Sequence, residues 1–237
     1  MGFTIAKPAS PAIATNIANS PHLDAKLSDI CVGTSAAPTF FPQFYFENDD
    51  GKGNQYKFNL IDGAVLAVNP ALIALSTVAN SAEADPSFAS IKPLDFKQIL
   101  LLSLGTGTTA DFAGTYTAQE AANWGLVSWL FNNNSSPLGE MQSEASAIMN
   151  AYYIATIYRA LGAETNYLRI EENALIGTTI QSDDASEDNM KLLVQVGENL
   201  LKKQASNGNS ETNEEALKRF AKLLSERKKL RANKASQ

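Results

Sequence analysis

Apolar positions first gather into a recognisable element at Tyr56-Lys57-Phe58-Asn59-Leu60-Ile61, which reads as a strand with Tyr56 and Phe58 suited to a pleated, half-buried surface. It ends on Asp62-Gly63-Ala64. Upstream, aromatic Phe44-Tyr45-Phe46 and the polar stretch Glu47–Gln55 predict a hairpin turning through Asp49-Asp50-Gly51-Lys52-Gly53. That turn lacks the spacing and the closing Glu of a calcium loop. Earlier still, Phe3–Lys7 and Ala12–Ala18 read as short strands. A helix is expected from the Ser20-Pro21 start through Leu23, Leu27, Ile30 and Cys31 to about Ala37, where Pro38 and Pro42 forbid continuation. After Gly63, Asn69 as cap and Pro70 at the first position open a helix that runs to about Ala84 and stops at Asp85-Pro86.

The second half alternates helices and short strands. Phe96–Leu104 is a continuous apolar run, the pattern of a strand buried on both faces. Thr117 with Glu120 predicts a capping box, and Trp124 and Trp129 follow it. Met141, Ala145, Ile148, Met149, Tyr152, Ala155 and Leu161 recur at helical spacing up to Gly162. Tyr167–Ile170 reads as a strand. Asp184 with Glu187 predicts a cap for a helix buried through Met190, Leu193, Val194, Gly197, Leu200 and Leu201. Gln204–Asn209 reads as a linker. Thr212 with Glu215 caps a last helix buried through Leu217, Phe220, Ala221 and Leu224, with a polar tail from Arg227 expected to fray.

At 237 residues with 44% hydrophobic content, the chain can bury a core. Its net charge of −6 disfavours nucleic acid. The charge is uneven: eight Lys/Arg against three Glu from Glu214 onward. That basic end reads as a solvated helix face, with anionic lipid head groups or an acidic partner as the alternative. No apolar run reaches the ~18 residues of a membrane span, and the N-terminus lacks the pattern of a signal peptide. The one cysteine, Cys31, permits no internal disulfide and is expected to be buried and inert. The one histidine, His22, fits a surface or cap role better than catalysis.

Two features carry candidate chemistry. Strand, acid, glycine, helix puts the Asp62 carboxylate at the rim of an α/β sheet, where open sheets bind ligands. The competing reading is an Asp-Gly turn capped by its own carboxylate. Gly105-Thr106-Gly107 invites a phosphate-loop reading, but the third glycine and an immediate helix are missing, so a tight exit turn fits better. The aromatics Phe40, Phe41, Phe44, Tyr45 and Phe46 are expected to be core, with an acyl pocket as the alternative. Asn133 and Asn134 each open an Asn-x-Ser sequon, relevant to a secreted protein.

The order of Ser35-Ala36-Ala37-Pro38 before Phe40-Phe41-Pro42, then Asp62-Gly63-Ala64, then Leu102-Ser103-Leu104-Gly105-Thr106-Gly107, resembles the patatins, the plant tuber storage proteins with lipid acyl hydrolase activity. The likeness continues through Tyr116–Gly125, Asn166–Ile170, Asp183–Ser186 and Glu214–Leu224, nearly the whole chain. It implies an α/β fold like that of the cytosolic phospholipases, here an incomplete sheet with helices on both faces. It also implies a Ser–Asp dyad in which Asp62 accepts the serine proton within the Asp62-Gly63-Ala64 motif. The family's nucleophile sits in a Gly-x-Ser-x-Gly turn that this chain lacks. Gly33-Thr34-Ser35-Ala36-Ala37 comes nearest, but its last glycine is alanine and its place in the family order is wrong, so no nucleophile is expected here.

The resemblance therefore implies that residues 1–237 are the C-terminal portion of one patatin-like domain, with a linker and basic helix over 204–237. The chain supplies the acid and is inactive alone. Non-catalytic storage is the alternative. The implied partners are a lipid ester and the N-terminal part of the same protein. An open sheet edge or uncovered face is expected to end in a bound complementary fragment, a homo-oligomer or a marginal fold. No cofactor, metal or nucleic acid is implied. A vacuolar, glycosylated storage protein is the family expectation, with Asn133 and Asn134 as acceptors.

Overall fold

The computed structural model describes residues 2–4, 11–12, 21–81, 95–109, 116–132, 135–181, 183–206 and 210–235. Their elements are β1 (Gly2–Thr4), β2 (Pro11–Ala12), α1 (Leu27–Thr34), β3 (Phe44–Asp49), β4 (Gln55–Asp62), α2 (Ala71–Ser81), β5 (Leu101–Leu104), α3 (Ala118–Ala121), α4 (Leu126–Leu130), α5 (Pro137–Ala160), β6 (Tyr167–Ile170), α6 (Glu187–Lys202) and α7 (Asn213–Ala235). The chain is an α/β protein and divides into two compact units. One comprises Met1–Asp95 with Ser135–Asn150, the other Phe96–Asn134 with Ala151–Gln237.

In the first unit a four-stranded antiparallel sheet runs in the order β2-β1-β4-β3. The β3–β4 hairpin pairs Phe44 with Leu60, Phe46 with Phe58 and Asn48 with Tyr56. These positions are at least half-buried, while Tyr45, Glu47, Lys57 and Asn59 face out, as a period of two requires. Phe46 stacks on Phe58 with ring centroids 4.7 Å apart. The turn closes on its own acid: one Asp50 oxygen accepts from the Lys52 and Asn54 amides, the other from the Asn54 side chain. α1 lies against β4, where Gly33 permits contact, since a Cβ there would fall 2.6 Å from Leu60 Cδ1. His22 stacks on Tyr56 at 4.1 Å, and its carbonyl accepts from Asn48 Nδ2.

Three expectations fail in this unit. The helix expected from Ser20 to Ala37 is broken: Pro21–Leu23 forms a 3-10 turn and α1 begins only at Leu27. Cys31 is exposed rather than buried. It lies two residues, about 200° of helix, from Gly33 on the sheet-facing side. The aromatic cluster divides: Phe44 and Phe46 pack on the hairpin, whereas Phe40 and Phe41 are 74% and 63% exposed. Asn69 caps α2 as expected, its Oδ1 accepting the Ala71 amide at 3.0 Å. The predicted ends at Ser20, Ala84 and Asp85-Pro86, and most of the two predicted N-terminal strands, lie outside the described residues.

The second unit is built on two parallel strands, β5 and β6, in register Leu101↔Tyr167 to Leu104↔Ile170. On one face Tyr158 of α5 stacks against Tyr167 at 5.6 Å and meets Phe96 at 5.9 Å. On the other face Leu168 and Ile170 pack with Ala205, Ala216 and Phe220. Each large side chain so buried contributes about 1.5–3 kcal/mol. The pair thus has helices on both sides. Phe96–Leu104 is not one doubly buried strand, however. Phe96–Gln98 is a 3-10 turn, and Leu102 and Leu104 are 43% and 65% exposed, because α7 covers the β6 side of the face and not the β5 side.

Two helices bury a different stripe from the one expected. α5 buries Ile154 and Tyr158 and half-buries Ala147 and Ala151, leaving Ile148, Met149 and Tyr152 open. α6 buries Asn189 and half-buries Val196, Leu200 and Leu201, while Met190, Leu193, Val194 and Gly197 are exposed. Its cap is Ser186, whose Oγ accepts the Asn189 amide, and Asp184 instead accepts the Ser186 amide. α7 buries Ala216 and Phe220, while Ala221 and Leu224 are exposed. It does not fray at Arg227. The guanidinium there donates to the Gln98 carbonyl at 2.7 Å, and the helix continues to Ala235.

Candidate functional site

Asp62 is the last residue of β4, with backbone paired to Gly2 of β1. Its amide donates to the Ala36 carbonyl at 3.0 Å, which ties the strand end to the segment leaving α1. Its Oδ1 accepts the Ala64 amide at 2.7 Å and caps a 3-10 turn over Gly63–Val65. Gly63 is buried, and Asp62 as a whole residue is half-buried, its hydrogen bond to Ala64 being exposed. Both readings of the sequence are therefore physically present. The carboxylate caps its own turn through one oxygen, and that turn fixes a half-buried acid at a strand terminus. The strand belongs to an antiparallel sheet.

Ser35, in the nearest approach to a nucleophile motif, is exposed and donates its hydroxyl to the Cys31 carbonyl at 2.9 Å. This is the ordinary back-bond of a serine at the end of a helix. Directly after Pro38-Thr39, which follow Ala36-Ala37, the exposed pair Phe40-Phe41 is held by its amides on the Ala37 carbonyl. Thr39 adopts φ 76°, a left-handed conformation that a β-branched residue adopts at a cost of about 1–3 kcal/mol. A strained turn thus holds two aromatic rings outward close in sequence to the Asp62 anchor.

The Gly105-Thr106-Gly107 turn belongs to the second unit and carries an anion of its own. The Gly105 amide reaches the Ile170 carbonyl at 2.9 Å, and the Gly107 amide reaches Glu171 Oε1 at 3.1 Å. Glu171 pairs with the Arg169 guanidinium, which also donates to the buried Ser103 Oγ at 2.8 Å. A Cβ at Gly105 would collide with the Glu171 carboxyl, and Gly107 takes φ 94°. Gly107 is thus favoured by its backbone conformation, whereas a side chain at Gly105 would need the Glu171 carboxyl to move aside. The neighbouring Glu172 is buried and ion-paired to Lys203 at 2.6 Å. Sequence reasoning stopped at Ile170 and missed both acids. The sequence signal available was a pair of glutamates directly after a strand, but that Glu171 faces the glycine turn is visible only in the fold. Asn133 and Asn134 lie outside the described residues. No helix among the described residues is long and apolar enough to cross a membrane.

Fold and site together define an α/β chain with an acid-glycine turn on an antiparallel hairpin and a glutamate-filled glycine turn on a parallel pair. No family model matches it. Individual relatives do. It is 59% identical over 228 residues to "Probable inactive patatin-3-Kuras 1" of Solanum tuberosum, covering 95% of this chain and 60% of that protein. It is 58% identical over 229 residues to Patatin-T5 of Solanum tuberosum and to Patatin-17 of Solanum cardiophyllum, each time covering 95% of this chain and 58% of the relative. The chain belongs to the patatin family. It spans about 60% of the length of these relatives.

Proposed function

We propose that this chain is the C-terminal, acid-bearing portion of a patatin lipid acyl hydrolase, and that Asp62 is the proton acceptor of a Ser–Asp dyad whose serine lies outside these 237 residues. The observation that carries this reading is the position of Asp62. It is half-buried at the end of β4, with one carboxylate oxygen bound to the Ala64 amide. A serine hydroxyl is a poor nucleophile until a base takes its proton, and a carboxylate fixed by a backbone amide is positioned to do so without a histidine. The serine oxygen would attack an ester carbonyl of a lipid, form an acyl-serine as the alcohol leaves, and be released by water. Gly63 and Ala64 shape the turn. The exposed Phe40 and Phe41 suit contact with an acyl chain. Storage in the vacuole belongs to the same proposal.

The 237-residue chain alone is expected to hydrolyse p-nitrophenyl esters at background rate. Co-produced with the part of Patatin-T5 lying outside the aligned region, it is expected to restore labelling by a fluorophosphonate serine probe and ester turnover, with Asp62→Asn abolishing turnover. Robust turnover by the chain alone, or full turnover by the restored D62N pair, refutes the assignment. A second reading, non-catalytic storage, is favoured by the name of one relative, "Probable inactive patatin-3-Kuras 1". A restored pair that folds but neither labels nor turns over would establish it.

A further inference from the structure

We infer that α4 and the residues beside it form a docking patch that seats the chain on the interface of a lipid bilayer, through uncharged rather than basic side chains. Three observations lead there. First, the sequence over 121–139 contains no Lys, Arg, Asp or Glu, in a chain that is 19% charged. Second, its apolar side chains stand in solvent. Leu126, Val127 and Phe131 are 75%, 73% and 73% exposed, and Leu130 is 38% exposed. Leu126, Val127 and Leu130 fall within about 100° on one side of α4. Phe131 follows directly, its amide donating to the Val127 carbonyl at 2.7 Å. Third, the aromatic rings beside them form a ladder. Trp129 meets Trp124 edge to face at 5.1 Å, and Trp124 meets Tyr116 in the same way at 5.1 Å. All three of these residues are half-buried, and the whole patch belongs to the second unit.

Tryptophan and tyrosine join an apolar ring to a polar tip and collect at the boundary between bilayer and water. Apolar side chains projecting from a short helix can enter the acyl boundary, which adapts to their shape, whereas a protein partner must present a complementary surface. The polar residues that bracket α4, Asn123 and Asn132, bring no charge that would have to be desolvated. With no cation in the patch, attraction to anionic lipid adds little, and the net-neutral head groups of phosphatidylcholine are the surface it fits. This separates it from α7, where Lys222, Lys228 and Lys229 are exposed and would draw the chain to negative lipid alone. The inference rests neither on the role of Asp62 nor on the proposed reaction.

The chain's two tryptophans are Trp124 and Trp129, so its tryptophan fluorescence reports on this patch alone. Mixed with phosphatidylcholine vesicles, the full 237-residue chain should cosediment, shift its tryptophan emission to the blue and be quenched by brominated acyl chains. Burying one such side chain is worth roughly tenfold in partition, so the double variant Leu126→Gln and Phe131→Gln should lower binding at least about tenfold. Phe131→Leu should retain it. Leu126 and Phe131 are exposed, so unchanged far-UV circular dichroism of the double variant would show that the fold is intact. Raising salt to about 0.5 M, where exposed charges are screened, should change binding by less than about twofold. The inference is overturned if the chain neither cosediments nor shifts its emission, or if the double variant binds as well as the native chain. Binding to anionic vesicles alone, lost in salt, also overturns it, because α7 would then be the contact. Co-produced with the part of Patatin-T5 outside the aligned region, the pair should still bind vesicles. A pair, or a self-associated chain, whose emission is blue-shifted without lipid and which ignores vesicles overturns the inference, because protein would then cover the patch. Binding is read without activity, so a pair that binds vesicles but does not turn over ester counts against the proposed catalytic role alone.

Discussion

Individual residues in this chain are best understood by what their environment makes costly. Tyr158 is fully buried, stacked on Tyr167, with its hydroxyl 3.4 Å from the Ile99 carbonyl. Burial holds its phenol well above the ordinary tyrosine range, Tyr167 adds to the effect, and the Arg227 charge opposes it. The folded state therefore keeps this proton at a pH where the unfolded chain has released its own. Stability from this group is complete below about pH 10, the ordinary tyrosine value, and declines as pH rises above it. Tyr167, also raised mainly by burial, acts in the same direction. Tyr158→Phe is expected to cost about 1 kcal/mol or less at neutral pH, since the lost hydrogen bond is long. It should also shift the alkaline unfolding midpoint upward, read by circular dichroism between pH 8 and about 12. An unchanged alkaline limb would remove Tyr158 as its source. The Asp62 turn was legible at this scale because Asp-Gly after an aromatic strand is a local turn signal, while the candidacy of Asp62 as a base came from the family resemblance. Glu171 was not, because its meaning depends on a turn 64 residues away in sequence.

Elements differ in how much of their structure is local. Two of the three predicted capping boxes form, with partners three residues apart, while at α6 Ser186 takes the place expected of Asp184. At α3 both reciprocal bonds of Thr117 and Glu120 form. At α7 the Glu215 carboxylate accepts the Thr212 amide at 2.7 Å and the Thr212 hydroxyl accepts the Glu215 amide at 3.3 Å. The Thr212 amide, with the hydroxyl second, holds the Glu215 carboxyl below the usual range. Thr212→Ala should cost about 1 kcal/mol in urea unfolding, within the 0.5–2 kcal/mol typical of lost caps. A loss below about 0.2 kcal/mol would show that tertiary contacts such as Phe220 alone set the start of the helix. The faces of α5 and α6 were misread for the opposite reason. Each helix carries two adjacent apolar stripes, such as Ala147-Ala151-Ile154-Tyr158 beside Ile148-Met149-Tyr152 on α5. Periodicity finds a stripe, but only tertiary packing decides which one is covered. The length of β5 was overestimated likewise, since an apolar run does not say where a strand gives way to a 3-10 turn.

On the scale of the whole chain, the open stripes have a consequence for association. On α6, Met190 and Val194 are 53% and 62% exposed and lie four residues apart, on one face. Contiguous apolar surface of this kind drives contact between copies. The chain at rising concentration is therefore expected to associate, seen as a concentration-dependent sedimentation coefficient. The double variant Met190→Lys and Val194→Lys removes apolar area from that face and places like charges on it. Neither residue is in the buried stripe of Asn189, Val196 and Leu200, so the unfolding free energy should stay within about 0.5 kcal/mol of the parent for each change. Reduced association with unchanged stability identifies α6 as a contact face. Association that persists in the double variant excludes this face of α6 and leaves other exposed apolar surface, such as Ile148 and Tyr152 on α5 or Phe40 and Phe41, to bring copies together.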